Sequence, residues 1–334
     1  MTAAGRSLPA RLRRRAVSIP ALIAVALAAT ATVPLWAPTV IVLDLVLRRF
    51  RLPLLRLGAF GVCWAWIEVA GVTRAFGLWL RGKAHDEGRH YGLMSWWAGL
   101  LMRALSATTG IRPRLEQAEE LEGGNAIVVA RHASLADSLL SAWAICGQAG
   151  LRPRYVLKKE LLSDPCLDIV GLRVPNYFLD RQAADSAAEL AALRRLADGV
   201  GPDVVGVIFA EGTRANDAKR ARALEKIAER DPDRAERLGE LRRLLPPRPA
   251  GTRSMVDGAP DADVVLAWHT GFDGLDSFGG MVEKLARPLP PVRFVPRRVP
   301  RAEVPTGDAF DRWLDEQWLL LDREVDRALG EEPT

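Results

Sequence analysis

The chain has 334 residues, 49% of them hydrophobic and 26% charged, enough to bury one large core or two ordinary ones, so disorder is excluded. A formal charge of +5 is unevenly spread: residues 1–60 hold nine arginines against one acid, Asp44, while the rest holds 37 basic and 40 acidic side chains. A body that is slightly acidic overall excludes polyanion binding by bulk charge, and nucleic acid is not an expected partner.

Residues 16–47, "AVSIPALIAVALAATATVPLWAPTVIVLDLVL", are apolar except for Asp44 and scattered Ser and Thr, and exceed the roughly 20 residues that span a bilayer. Three readings compete. A secretory signal peptide would use Arg11 to Arg15 as its charged start and Ala29-Thr30-Ala31 as its cleavage site, but the apolar run continues well past that site. A single tilted span would leave one arginine cluster on the wrong side. A re-entrant hairpin broken around Pro34 and Pro38 keeps both clusters on the cytoplasmic side.

The next stretch, residues 52–80, carries Glu68 and Arg74 and reads as interfacial or packed on protein, though it is also long enough to span. Six of the ten tryptophans (36, 64, 66, 79, 96 and 97) fall in the first 97 residues, a distribution that suits a membrane surface. The expected organisation is therefore residues 1–85 as N-terminal membrane-anchoring helices and 86–334 as the catalytic domain, facing the cytoplasm.

From about residue 111 onward, β-branched runs alternate with helical patterns. "NAIVVA" (125–130), "PDVVGVIFA" (202–210) and "ADVVLAW" (262–268) read as strands of an α/β domain with a mostly parallel sheet. Between them, 186–200 reads as a helix, and 216–245 as two short helices split at Pro232 with a solvated charged face. Residues 308–329 place Phe310, Leu314, Trp318, Leu321 and Val325 at helical spacing, the pattern of a docking helix. There is no internal repeat and no glycine-rich phosphate loop. Cys63, Cys146 and Cys166 are scattered, without metal-ligand spacing, and read as reduced thiols; no metal is expected.

In α/β sheets ligands gather beyond the carboxyl ends of strands, so the residues just after each strand are the candidates. After "NAIVVA" comes "RHASLAD". Here Ser134 and Asp137 fit a helix-start capping box, while Asp137 could equally orient the ring of His132 so that its other nitrogen takes a proton from a hydroxyl. After "VVGVIFA" comes "EGTR", an acid, a glycine and an arginine able to fork onto phosphate, or an ordinary turn with a surface ion pair. "VPNYFLDRQ" (174–182) offers Arg181. His85, His90 and His269 have no comparable companions and read as surface or core histidines.

Taken together and in order, "HASLAD", "FLDR" and "EGTR" resemble the glycerolipid acyltransferase family that includes the 1-acylglycerol-3-phosphate acyltransferases, over residues 90 to 330. "RRLLPPRPAG" (242–251) and "FDRWLDEQW" (310–318) resemble a longer lysophospholipid acyltransferase branch. That branch has Lys-Asp near the place of Leu321-Asp322, and "LAWHTG" stands where a Pro-Val-type fourth motif is usual.

The resemblance implies a central sheet flanked by helices, with His132 as general base, Asp137 orienting it, and Arg181, Glu211, Gly212, Thr213 and Arg214 binding the acceptor. It implies acyl transfer to a lysophospholipid, with lysophosphatidate first and lysophosphatidylinositol or lysophosphatidylglycerol as alternatives. Acyl-CoA or an acyl carrier protein would be the donor, with no further cofactor. A catalytically silent lipid-binding protein and a secreted lipid hydrolase released at Ala31 are the readings from other classes.

Overall fold

The computed structural model describes residues 8–134, 136–180, 186–275 and 277–330. Its first layer is helical: α1 (Leu8–Ala31), α2 (Val33–Val46), α3 (Pro53–Leu80) and α4 (Glu87–Thr109). The break between α1 and α2 falls at Thr32, short of the expected Pro34–Pro38 interruption. Pro34 occupies the first turn of α2, where its missing N–H has no helical partner to lose, and Pro38 is accommodated inside α2. α1 and α3 are long and apolar enough to cross a membrane by length and composition, and only 11% of the apolar window of α1 is buried.

Side chains such as Val17, Ile23, Leu27, Leu35, Val42 and Phe76 stand exposed along these helices. The N-terminal arginines are not idle. Arg14 donates to Asp168 Oδ1 at 2.6 Å and Arg15 to Oδ2 at 2.8 Å, and Asp168 is fully buried beneath them.

The second layer is one sheet. In chain order its strands are β1 (Pro113–Leu115), β2 (Ala126–Ala130), β3 (Arg152–Lys158), β4 (Tyr177–Leu179), β5 (Val204–Phe209), β6 (Asp263–Thr270) and β7 (Val292–Val299). Their spatial order is β1-β7-β6-β2-β5-β3-β4, parallel throughout except for the antiparallel β6–β7 pair. Every residue of β2 is buried, which is why it reads as an unbroken apolar run instead of an alternation.

Alternate side chains of β2 serve two cores. Ile127 and Val129 face a core completed by α7 (Ser186–Ala197), α10 (Pro249–Gly258) and α12 (Asp308–Gly330). Ala126 and Val128 face a second core with Met102 and Leu105 of α4 and Leu140 of α5 (Asp137–Ala142). The expected stripe of α12 is borne out: Phe310, Leu314, Trp318, Leu321 and Val325 are all buried. α6 (Pro165–Val170) lies under α1 and α3, and α11 (Phe278–Leu285) contacts α3.

The charged stretch splits where the sequence indicates. α8 (Asp217–Ala228) ends before α9 (Pro232–Leu238), whose Asp231 cap accepts from the Arg234 N–H at 2.9 Å with Pro232 in the first turn. Helix does not continue to Leu245 as the leucine spacing suggests. Segment 239–245 is irregular because buried Asp322 of α12 draws in the N–H groups of Arg242, Arg243 and Leu244 at 2.8, 2.8 and 2.7 Å.

Candidate active site

β2, β5 and β6 run parallel in register, with Ala130 opposite both Phe209 and Ala267, so the loops leaving the three strands emerge at one level. His132 lies just past β2, Glu211 just past β5, and His269 is the last residue but one of β6. At this edge Asp137 begins α5 and turns its carboxylate back on the loop before it. Oδ2 accepts from His132 Nδ1 at 2.8 Å, from the Ala133 N–H at 2.6 Å and from the Ser134 N–H at 2.8 Å. Oδ1 accepts the Ser134 hydroxyl.

This is not the expected capping box: α5 starts at Asp137 itself, and the serine side chain serves the aspartate. Of the two readings of this segment, the geometry therefore brings His132 and Asp137 together. Burial would by itself raise Asp137, but the His269 and His132 rings and the hydrogen bond from His132 outweigh it and hold the carboxyl well below its ordinary range. The aspartate stays ionised and presents an anion to the His132 ring. That ring, 12% exposed, lies 5.0 Å from Phe209 by centroids and keeps Nε2 on its far side from Asp137.

Glu211 takes a different place from the acceptor-contacting one implied by resemblance. It is 2% exposed, with Oε1 accepting the His132 N–H at 2.8 Å and Oε2 the Leu245 N–H at 3.1 Å. It splints the His132 loop to segment 239–245. Burial pushes it up to about 8, offset in part by these N–H groups and by the charge of Arg131. Gly212 adopts φ +68, a left-handed conformation that glycine reaches without strain, and a Cβ there would stand 3.3 Å from Arg248. Thr213 and Arg214 continue this loop, half-buried, and the Ala215 N–H returns to the His132 carbonyl at 2.8 Å. Arg181 lies outside the described residues.

Three residues given no site role in the sequence reading belong to this edge. Arg131 is buried, donating to the His269 carbonyl and to Asp273, both at 2.5 Å. Arg248 lies over Gly212. His269 Nε2 is 3.2 Å from Asp137 Oδ1. The rule that selected "RHASLAD" and "EGTR" applies equally to the residues that end β6, and it would have found His269.

Beside the dyad an apolar cavity of about 370 Å³ opens between α3, α4, α5, α6 and β3. Ser138, Leu139 and Ala142 of α5 line it, as do Trp64 of α3, Trp97 of α4 and Leu157 of β3.

A buried carboxylate, an imidazole with one nitrogen turned away and a nearby apolar cavity are the parts that activation of a hydroxyl on an amphipathic substrate requires. Residues 112–260 match the model of the acyltransferase family, a span that includes His132, Asp137 and the 211–214 loop. Among solved structures it is similar to the 1-acyl-sn-glycerophosphate (LPA) acyltransferase PlsC of Thermotoga maritima. That likeness has 16% identity and a TM-score of 0.45, and covers 80% of this chain and 98% of that one. No curated protein matches by sequence.

Proposed function

We propose that the chain is a membrane-attached lysophospholipid acyltransferase that uses acyl-CoA, or an acyl carrier protein, to convert 1-acylglycerol-3-phosphate to phosphatidate. The observation that carries this reading is the His132–Asp137 pair, with the neighbours Ala136, Ser138 and Leu139 lining an apolar cavity. Asp137 holds Nδ1–H, so Nε2 is the proton acceptor. The acceptor hydroxyl gives its proton to Nε2 as its oxygen attacks the acyl carbonyl; the thioester C–S bond breaks, and the proton leaves with the thiol. The Asp137 anion stabilises the imidazolium formed in passing, as an ionised partner does for any buried cation.

The cavity walled by α5 and α4 suits the acyl chain, each buried methylene contributing about 0.8 kcal/mol. Arg214, on the loop beside His132, and Arg181 are the cations assigned to the acceptor phosphate. The exposed apolar faces of α1, α2 and α3 support attachment to the bilayer that supplies the acceptor.

The test is acyl transfer from labelled oleoyl-CoA, and in parallel from oleoyl-loaded acyl carrier protein, in membranes containing wild type or His132→Ala, with lysophosphatidate, lysophosphatidylglycerol and lysophosphatidylinositol offered as acceptors. Product on lysophosphatidate that vanishes in the variant supports the reading. Product on another acceptor reassigns the headgroup, and no product from either donor type refutes it.

A further inference from the structure

His269 is buried, 2% exposed, and neither of its ring nitrogens has an aligned hydrogen bond among the described residues. A buried polar group left this way is costly, so its presence at this point calls for a physical reason. Its surroundings supply one. Nε2 stands 3.2 Å from Asp137 Oδ1, while His132 Nδ1 is bound to the other oxygen of the same carboxylate at 2.8 Å. The ring is edge-on to Phe272, and Arg131 fixes its main chain by bonding the His269 carbonyl. The histidine is thus held from two sides with one anion in front of it.

We propose that His269 is a positioning residue for acyl transfer: it holds Asp137 through the oxygen that His132 does not use and draws part of that carboxylate's charge, so that two histidines compete for one anion. The inference rests on His132 acting as the base. Its physical content is electrostatic. A carboxylate within about 4–6 Å favours the protonated form of an imidazole. When His269 also binds the anion, less of that field reaches His132, and when His269 itself carries a proton the two rings oppose each other through the shared partner.

The other charged and titratable groups at this edge leave the competition in place. Arg131, from the end of β2, is neutralised by Asp273 in the loop after β6. Glu211, from the end of β5, is turned to backbone N–H groups. Arg293, on β7 opposite Thr270, pairs with Glu116. His269 owes its place to β6, which runs on past Ala267, the residue level with Ala130 at the end of β2.

The experiment uses the full chain in detergent or nanodiscs as wild type, His269→Phe and His269→Gln, with two readouts across pH. One is kcat/KM for transfer from oleoyl-CoA to lysophosphatidate. The other is the rate of diethyl pyrocarbonate modification at His132, mapped by mass spectrometry without substrate. In His269→Phe the acid limb of both profiles moves up by about one pH unit, so activity below that limb falls about tenfold and activity above it holds. His269→Gln keeps one N–H toward Asp137 but no titratable charge, and its limb moves up by less.

Profiles that keep their position and lose only amplitude, or that move down, overturn the inference, because a merely structural histidine would do that. Should His269→Phe fail to fold, an unmoved limb in His269→Gln is sufficient to overturn it. A shift in the modification profile of a protein that transfers no acyl group would leave the coupling standing and remove the functional reading beneath it.

Discussion

Replacing Asp137 by Asn separates what that residue does for the fold from what it does for chemistry. Three donors converge on Oδ2: His132 Nδ1–H, the Ala133 N–H and the Ser134 N–H. If the amide oxygen takes that place, all three bonds survive and the NH2 falls where Oδ1 was, facing the Ser134 hydroxyl, which can turn and accept. The loop and the histidine tautomer are then kept, and the charge alone is lost. An opposite charge at this distance stabilises an imidazolium by one to three pKa units, about 1.4–4 kcal/mol, so kcat/KM at neutral pH should fall about 10- to 1000-fold while the melting temperature changes little. Asp137→Ala is a different experiment. It leaves two buried N–H groups, a hydroxyl and a ring nitrogen without their acceptor, at about 1–3 kcal/mol each, against the roughly 5–15 kcal/mol that is typical of a whole domain. That variant should fail to accumulate as folded protein. The assay is acyl transfer from purified enzyme in nanodiscs, paired with thermal unfolding. An Asn variant within threefold of wild type, at an unchanged melting temperature, would refute the claim that the carboxylate charge drives the proton transfer.

The geometry sets three further outcomes. Glu211 is raised from 4.5 to about 8 by burial, so the folded protein holds a proton there that the unfolded chain has lost; this part of stability declines as pH rises from about 4.5 through 8. Melting temperature against pH should show that slope in wild type and a flatter one in Glu211→Gln, and identical slopes would remove the burial argument. Ala142→Phe fills the cavity wall beside the dyad and should shift donor preference to shorter acyl chains, each excluded methylene weakening kcat/KM by up to about fourfold; an unchanged chain-length profile would place the acyl group elsewhere. Trp318→Ala opens a void under β6 and breaks the indole bond to the Leu245 carbonyl at 2.9 Å, so denaturant unfolding should report a loss of about 3–5 kcal/mol, with less than about 1 kcal/mol contradicting the packing described.

Much of this was legible in the residues because period and punctuation act locally. The three central strands, the helix at 186–197, the split at Pro232 and the buried stripe of α12 all derive from apolar spacing and from proline. The dyad was legible as a pair but not as a decision between capping and catalysis, since Ser134 and Asp137 satisfy either pattern and only the direction of the carboxylate separates them. The irregular course of 239–245 was hidden because Asp322, the residue that bends it, lies about 80 positions away. Glu211 shows the same limit from the other side: an acid in "EGTR" reads as a surface ligand until burial and two backbone N–H groups give it another task. His269 was passed over because it has no chemical companion in sequence, and acquires one only when β6 is laid beside β2.

The double hold of Glu211 has a consequence for the order in which the enzyme assembles. Its two bonds join segments 79 and 34 residues distant, and Leu245 is in turn gripped by Trp318, 73 residues further on. Loops of that length close late, after local helices and neighbouring strands have formed, because chain entropy must first be overcome. The His132 loop is therefore held at two levels, by local bonds to Asp137 and by long-range bonds that need segment 239–245 and α12 in place. A nascent chain should remain inactive until its C-terminal helix has been made.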